Sequence, residues 1–233
     1  MSEICVVTGA SRGIGLATSK GLAQKGYHVI MTARNISELE VVVNGFKDEG
    51  LSVEMFYCDV TNQSSIVELA NYIEKKYGHL DILVNNAAIL LDRLYQPLNE
   101  VSPETLLKTF DTNTVGCYRM MIQLMPLLQK SPMARIVNVS SGAGQLSTMQ
   151  SRLPAYRISK SALNALTCLV SSEFSNDKLK VNSICPGWVK TAIGGDKAPL
   201  TLEEGAKGVI WAATLGPDGP TGKFFRDEKP LEW

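Results

Sequence analysis

The alternation of strand-like and helix-like segments most constrains the fold of this chain. Short apolar runs, rich in β-branched residues, predict strands at 4–8, 29–32, 53–57, 82–84, 136–139 and 181–184. Helical periodicity between and after them predicts helices at 14–24, 37–49, 64–77, 103–129 and 155–174, with another beginning at 202–206. This order predicts one doubly wound α/β domain over residues 1–233, with a mostly or wholly parallel seven-stranded sheet and helices on both faces.

The composition argues against several classes of protein. The chain has 23 basic and 23 acidic side chains, so no global charge attracts nucleic acid or anionic lipid. It contains no apolar run of about 18 residues and starts in a strand pattern rather than a signal peptide. Its five cysteines lie far apart without CxxC pairs, which predicts buried thiols, a reducing compartment and no metal site. We expect a soluble cytoplasmic protein that binds neither nucleic acid nor membranes.

A glycine-rich turn, TGASRGIG at 8–15, directly follows the first predicted strand and leads into the first predicted helix. Glycines at this point permit a tight turn and let the backbone approach a pyrophosphate at the helix N-terminus. The same glycines could serve an ordinary strand-to-helix turn. The strand before the turn and the helix after it favour a dinucleotide site, and with it a Rossmann-type fold.

The end of the second predicted strand indicates which dinucleotide is bound. An NAD enzyme commonly has an acid there for the ribose 2′-hydroxyl, but this chain has TARN at 32–35. Arg34, together with Arg12 from the glycine turn, could hold a 2′-phosphate, because guanidinium groups form charge-assisted hydrogen bonds with phosphate oxygens. Either arginine could instead be an ordinary surface charge. We predict NADP(H) as the cofactor.

Two further segments carry groups suited to proton transfer. Tyr156 and Lys160 lie four residues apart in a predicted helix, so they share one face, and a nearby ammonium would lower the pKa of the phenol. Tyr156 is therefore a candidate general acid. Ser140 and Ser141 follow the fifth predicted strand, where one hydroxyl could bond a substrate oxygen. Each motif alone is common in proteins, and their ordered combination carries the prediction.

The chain resembles the short-chain dehydrogenase/reductase family over essentially its whole length. The resemblance rests on TGASRGIG at 8–15, DV at 59–60, NNAA at 85–88, Asn113, SS at 140–141, YRISK at 156–160 and PGWVKT at 186–191. The stretches SSGAG, ICPGWVKT and GPTGKFF are most similar to the carbonyl-reductase-like branch.

The resemblance implies a catalytic role for four residues. Tyr156 would donate a proton to the carbonyl oxygen, while Lys160 lowers the pKa of Tyr156 and holds the nicotinamide ribose. Ser141 would polarise the carbonyl, and Asn113 would anchor a water that relays protons to Lys160. The chain departs from the family pattern in two places: Tyr156 lies 15 positions after Ser141 where 13 is usual, and Ala88 replaces a glycine.

The resemblance also implies a set of cofactor contacts. They are Gly9, Ser11, Arg12, Gly13, Ile14, Gly15, Arg34, Asp59, Val60, Asn86, Ala87, Tyr156, Lys160, Pro186, Gly187, Val189 and Thr191. For Asp59 and Asn86 the alternative is turn capping and strand bridging, which these residue types commonly provide.

The substrate side of the site is less constrained by the sequence. Few residues separate Thr191 from the helix predicted at 202–206, which indicates an open site. Apolar residues that could line it, or simply pack the core, are Ile89, Leu90, Leu146, Met149 and Trp188. The resemblance implies a homodimer or homotetramer that assembles through the helices at 103–129 and 155–174, with a monomer, as in some carbonyl reductases, as the open alternative.

These observations favour an enzyme that reduces a small-molecule aldehyde or ketone with NADPH. One alternative is an NADP-dependent alcohol dehydrogenase that works in the oxidative direction. Another is a non-catalytic regulator that binds NADP(H), although a binding protein would not need the proton-transfer residues. An epimerase would need a larger C-terminal region than this chain has.

Overall fold

Parallel strands alternate with helices through most of the chain. The computed structural model describes residues 2–93, 95–174 and 178–233. The strands are β1 (Ile4–Thr8), β2 (His28–Ala33), β3 (Val53–Tyr57), β4 (Ile82–Asn85), β5 (Ala134–Val139), β6 (Leu179–Ile184), β7 (Lys223–Arg226) and β8 (Lys229–Leu231). The helices are α1 (Gly13–Gln24), α2 (Ile36–Asp48), α3 (Gln63–Tyr77), α4 (Pro103–Phe110), α5 (Gly116–Leu128), α6 (Pro154–Glu173) and α7 (Leu202–Ala213).

The eight strands form one sheet in the order β3-β2-β1-β4-β5-β6-β7-β8. All neighbours pair in parallel except β7 and β8. The order reverses between β1 and β4, and ligands of doubly wound sheets bind at this reversal, beyond the carboxyl ends of the strands. The doubly wound α/β fold predicted from the sequence is confirmed.

Helices bury both faces of the sheet, which is why the central strands are continuous apolar runs. One core contains Leu69 of α3, Met120 of α5 and Leu163 of α6, each with no exposed surface. The other contains Leu22 of α1, Leu39 of α2 and Val209 of α7, which are also fully buried. The sheet is thus fixed between two helical layers.

The sheet has eight strands, one more than the sequence predicts. After β7, Asp227 and Glu228 adopt positive φ angles of 51° and 62°, and the chain turns back so that β8 pairs antiparallel with β7. Two successive residues with positive φ make the tight turn typical of β-hairpins. The turn lacks the glycine or asparagine that usually marks it, so no sequence signal indicated the added strand.

The predicted helix at 103–129 is helical but not uniform. Between α4 and α5, Asp111–Val115 forms a π-helical turn with wider hydrogen bonding. Such turns occur mostly inside α-helices and often at functional sites. Here the turn contains Asn113, one of the predicted catalytic residues.

A chain of buried polar side chains joins helix α6 to the sheet. The amide of Asn85 on β4 donates to Asn138 Oδ1 on β5 at 2.9 Å, and the amide of Asn138 donates to Thr167 Oγ1 on α6 at 2.9 Å. The Thr167 hydroxyl is also 2.8 Å from that of Ser183 on β6. Because buried polar groups are costly unless they are hydrogen-bonded, this row of polar side chains favours one position of α6 on the sheet.

The described helices include none with the length and apolar character needed to cross a bilayer. All five cysteines are free thiols; Cys168 is partly exposed and the other four are buried.

Candidate active site

The carboxyl ends of β1, β4, β5 and β6 bring the predicted site residues to one edge of the sheet. They are followed by the glycine turn, by Asn86, by Ser141 and by the segment 185–191, respectively. Thr191 reaches the glycine turn, because a Cβ placed on Gly13 would lie 3.5 Å from Thr191 Cγ2. The structure therefore brings together segments that are far apart in the sequence.

The glycine turn has the geometry of a phosphate-binding loop. Gly9 and Gly13 have φ angles of 64° and 61°, which favour glycine. A Cβ on Gly15 would lie 2.4 Å from Asn86 Nδ2 and 2.5 Å from Gly9 O, so no side chain fits there. Helix α1 begins after Arg12 without a side-chain cap, which leaves its N-terminal N–H groups available to an anion. These features fit a dinucleotide pyrophosphate.

Thr8 and Asn86 hold the glycine turn against the end of β4. The Asn86 amide donates to the carbonyls of Thr8 at 2.8 Å and Gly9 at 3.1 Å. The Thr8 hydroxyl oxygen accepts the N–H groups of Asn86 at 2.9 Å and Ala87 at 3.0 Å. Asn86 therefore shapes the turn through its side chain. Sequence reasoning missed Thr8, although its place before the first glycine was the available signal.

The two arginines predicted to hold a 2′-phosphate are both exposed at this edge. An open groove beside the turn is lined by Ser11, Arg12, Glu38, Val41 and Val42. Arg34 follows β2 directly and is not part of that lining. Within the described ranges neither Arg12 nor Arg34 forms an ion pair, so both guanidinium groups have donors to offer a phosphate. Glu38, a groove carboxylate, is a residue that sequence reasoning did not single out.

Asp59 and Val60 make contacts within the protein. Asp59 Oδ1 accepts the N–H of Thr61 at 2.9 Å and its hydroxyl at 2.8 Å, which is the turn-capping alternative considered for it. Val60 is buried against α5, where a Cβ on Gly116 would lie 2.8 Å from Val60 Cγ2. Contact of either residue with the adenine stays a prediction.

Tyr156 and Lys160 lie side by side in the first half of α6, as their spacing predicts. Lys160 Nζ is 5.7 Å from the centroid of the Tyr156 ring. The ammonium donates to the carbonyl of Val139, the last residue of β5, at 2.7 Å. Lys160 is only 2% exposed, and this burial lowers its pKa to about 8. Among the described residues it has no carboxylate partner, although an ammonium can donate three hydrogen bonds.

The pKa of Tyr156 moves in the direction opposite to the one expected from the sequence. Burial raises it to about 12, while a hydrogen bond with the Ser141 hydroxyl lowers it and the Cys185 thiol raises it. Desolvation thus outweighs any effect of Lys160 in the protein alone. A phenol with this pKa stays protonated at neutral pH, which suits a proton donor.

The two serines at the end of β5 have different surroundings. The Ser140 hydroxyl is buried and donates to Asn164 Oδ1 at 2.6 Å, so it is committed to the core. The Ser141 hydroxyl accepts the N–H of Ala143 at 3.1 Å and lowers the pKa of the nearby Tyr156 phenol. This geometry supports the choice of Ser141.

The turn after Ser141 packs directly on helix α6. A Cβ on Gly144 would lie 2.7 Å from the carbonyl carbon of Lys160, so only glycine permits this approach. The Gly144 carbonyl also accepts the Ser161 hydroxyl at 2.9 Å. The longer loop between Ser141 and Tyr156 still leaves the Ser141 hydroxyl near the Tyr156 phenol, whose pKa it lowers.

Asn113 is fully buried in the π-helical turn and holds the chain after β4. Its Oδ1 accepts the N–H of Ile89 at 2.8 Å, and its Nδ2 donates to the Ile89 carbonyl at 2.9 Å and to Ser159 Oγ at 3.1 Å. Both hydrogens of its amide and one acceptor site of its oxygen are thus used in positioning two segments. The water relay to Lys160 stays a prediction.

The segment after β6 closes the site on the side of β7. Gly187 has a φ of 82°, and a Cβ there would lie 2.6 Å from Leu200 Cδ1. Val189 pairs with Leu200 in an isolated bridge, and the Thr191 hydroxyl accepts the N–H of Gly194 at 2.9 Å. Together with Pro186, these residues border the same edge as the glycine turn.

The apolar residues proposed for substrate contact are at least partly exposed. Trp188 is 54%, Leu146 68% and Met149 41% exposed, while Ile89 and Leu90 are half-buried. They are not core residues in this fold, which removes one alternative reading of them. Leu146 instead lines a small cavity with Cys168 and Trp233.

Comparison with known proteins identifies the family. The sequence profile of a family described as short chain dehydrogenase matches residues 3–199. The chain belongs to the short-chain dehydrogenase family. It is therefore an oxidoreductase, and the resemblance found in the sequence is confirmed.

Several relatives of this short-chain dehydrogenase are carbonyl reductases. Carbonyl reductase (NADPH) 1 of Sus scrofa is 30% identical over 278 residues, which cover 100% of this chain and 94% of that protein. The structure of the carbonyl reductase Sniffer of D. melanogaster matches with a TM-score of 0.88 and 31% identity over 100% of both chains. An NADPH-bound carbonyl reductase from chicken fatty liver matches with a TM-score of 0.87 and 26% identity, over 100% and 99% of the two chains.

The contacts of Thr8 predict that its hydroxyl stabilises the glycine turn. Replacing Thr8 by valine keeps the shape but leaves the N–H groups of Asn86 and Ala87 without their acceptor. We expect the free energy of unfolding to fall by about 1–3 kcal/mol in urea denaturation. Thr8→Ser keeps the oxygen and serves as the matched control. A Thr8→Val protein as stable as Thr8→Ser would contradict this role.

Proposed function

We propose that this short-chain dehydrogenase reduces an aldehyde or ketone to an alcohol with NADPH, and that Tyr156 donates the proton. The observation that carries the proposal is the proximity of three groups, Tyr156, Ser141 and Lys160, at the ligand edge of the sheet. The Ser141 hydroxyl is near enough to the Tyr156 phenol to lower its pKa, and the buried Lys160 Nζ is 5.7 Å from the centroid of the Tyr156 ring. A carbonyl oxygen placed between the two hydroxyls would meet two hydrogen-bond donors.

The residues divide the work of carbonyl reduction between them. NADPH, when bound, supplies the hydride that reduces the carbonyl carbon. Ser141 donates a hydrogen bond to the carbonyl oxygen and stabilises the negative charge that develops there. Tyr156 transfers its phenolic proton to that oxygen, which leaves a phenolate. The neighbouring positive charge of Lys160 stabilises the phenolate more than the neutral phenol, which favours the transfer.

The cofactor assignment follows from the turn and from the arginines. Gly9, Gly13 and Gly15 allow the backbone to approach a pyrophosphate at the start of α1. Arg12 and Arg34 lie at the same edge with guanidinium groups that form no ion pair in the described part of the chain, and these would hold a 2′-phosphate. The relatives named for NADPH support the same choice.

Loss of the Tyr156 hydroxyl should stop turnover without stopping cofactor binding. For Tyr156→Phe we expect kcat to fall at least about 100-fold, because positioned acids contribute about 10²–10⁴-fold. The rate is measured as NADPH oxidation against a panel of aldehydes, ketones, diketones and quinones, and NADPH affinity by fluorescence titration.

The control for this variant is Tyr118→Phe, since Tyr118 is an exposed tyrosine on α5. Tyr156→Phe activity within tenfold of the parent would contradict the role of the phenol. Tight NADPH binding without turnover of any carbonyl by the parent would instead favour the non-catalytic regulator, and turnover only from alcohol and NADP⁺ would favour the oxidative direction.

Removal of the two arginines should change the choice of cofactor. For Arg12→Ala with Arg34→Ala we expect KM for NADPH to rise at least about tenfold, because each charge-assisted hydrogen bond contributes about 1.5–3 kcal/mol. KM for NADH should stay nearly constant, since NADH has no 2′-phosphate. Lys47→Ala removes an exposed cation from the far end of α2 and is the control. Equal effects on both cofactors would refute the assignment of the arginines.

A further inference from the structure

Asp92 is a buried acid that the proposed chemistry does not use. It lies in the connection between β4 and α4, seven residues after the end of β4, and is 7% exposed. Its Oδ1 accepts the N–H of Ala155 at 3.2 Å, and its Oδ2 accepts the N–H of Tyr156 at 2.8 Å. A side chain remote in the sequence thus bonds the backbone of the proposed proton donor.

The start of α6 has no cap of its own. Leu153 precedes the helix with a φ of 55° and supplies no side-chain hydrogen bond, and Pro154 has no N–H to satisfy. Ala155 and Tyr156 are therefore the first residues with N–H groups lacking a partner inside the helix. The next residue, Arg157, already donates to the Leu153 carbonyl at 2.9 Å. Asp92 accepts a hydrogen bond from each of these two N–H groups, which would otherwise have no acceptor.

A carboxylate is the group best suited to this position. Its negative charge interacts favourably with the positive end of the helix dipole, and its two oxygens can each accept one N–H. The bonds reach Tyr156 at its own backbone, so a shift of the helix start would move the phenol directly.

Two further contacts connect the same chain segment to the site. Asn113 holds Ile89, three residues before Asp92, by two hydrogen bonds. The guanidinium of Arg152 lies over the Tyr95 ring, 4.8 Å from its centroid, just before α6 begins. The segment is thus anchored on both sides of Asp92, and Asp92 provides its link to the catalytic helix.

We propose that Asp92 is a positioning residue that sets the place of the Tyr156 phenol by fixing the first turn of α6 from the β4–α4 connection. This inference rests on the proposed function. It assigns Asp92 no contact with substrate or cofactor, and it predicts an effect on the chemical step rather than on nucleotide binding.

The kinetic test compares Asp92→Ala and Asp92→Asn with Glu100→Gln, which neutralises an exposed acid in the same connection. For Asp92→Ala we expect kcat with NADPH and a carbonyl to fall about 10–100-fold, because small misplacements of reacting groups have effects of that size. The Kd for NADPH should stay within about twofold, since the glycine turn is unchanged. Asp92→Asn keeps one acceptor and should retain more activity than alanine, and Glu100→Gln should match the parent.

Each variant is assayed well below its own melting temperature, so that loss of stability alone does not lower kcat. A purely structural role would lower the melting temperature and leave kcat of the folded protein unchanged. An Asp92→Ala protein with kcat within twofold of the parent would overturn the proposal.

A second measurement needs no turnover. Amide hydrogen exchange at Ala155 and Tyr156 should speed up at least about tenfold in Asp92→Ala and not in Glu100→Gln, because the amides lose their acceptors. Unchanged exchange would overturn the anchoring. If the parent reduced no carbonyl, the proposed function would fail, while the exchange result would still decide whether Asp92 fixes the helix start.

Discussion

Lys160 lies under the site with 2% of its surface exposed, and its ammonium donates one hydrogen bond to the carbonyl at the end of β5. Within the described ranges no carboxylate pairs with this ammonium, and burial lowers its pKa to about 8. A buried cation that lacks a carboxylate is expensive for a fold to keep. The cost is understandable if the amine serves a ligand and a transient phenolate rather than the stability of the protein. The rest of the site is arranged around this group.

Helix α6 has to be placed closely for the amine and the phenol to act together, and the contacts that place it come from several parts of the chain. The Gly142–Gly144 turn packs on the backbone at Lys160, where no side chain would fit. Below it, Asn138 bonds Thr167 and connects the middle of the helix to the sheet. The bonds from Asp92 hold its first turn. These contacts lie at different positions along α6, so together they restrict both the position and the tilt of the helix.

The sequence predicted those parts of the molecule that depend on local patterns. The glycine turn and the Tyr156–Lys160 spacing are short motifs whose geometry follows from a strand-to-helix turn and from one helical repeat. The fold followed from the alternation of strands and helices. The structure has the glycine turn between β1 and α1 and places Tyr156 beside Lys160, as these patterns predict. Both motifs are short, and their local geometry depends on neighbours within a few positions.

What the sequence did not reveal depends on burial or on contacts between remote residues. The pKa of Tyr156 rises because the phenol is desolvated, and the depth of a side chain cannot be read from its spacing to a lysine. The roles of Thr8 and Asp92 need partners 78 and 64 positions away. Strand β8 follows from two positive φ angles at Asp227 and Glu228, residues that give no strong turn signal.

The fate of the transferred hydrogen is the sharpest test of the proposed reduction. The purified protein would be incubated with NADPH carrying deuterium at the transferable C4 position and with a carbonyl that it turns over, and the alcohol analysed by mass spectrometry. Hydride transfer from NADPH predicts one deuterium on the carbinol carbon of the product, formed at a rate that depends on the phenol of Tyr156. An alcohol without deuterium, or bound NADPH that never yields its label to any carbonyl, would contradict it.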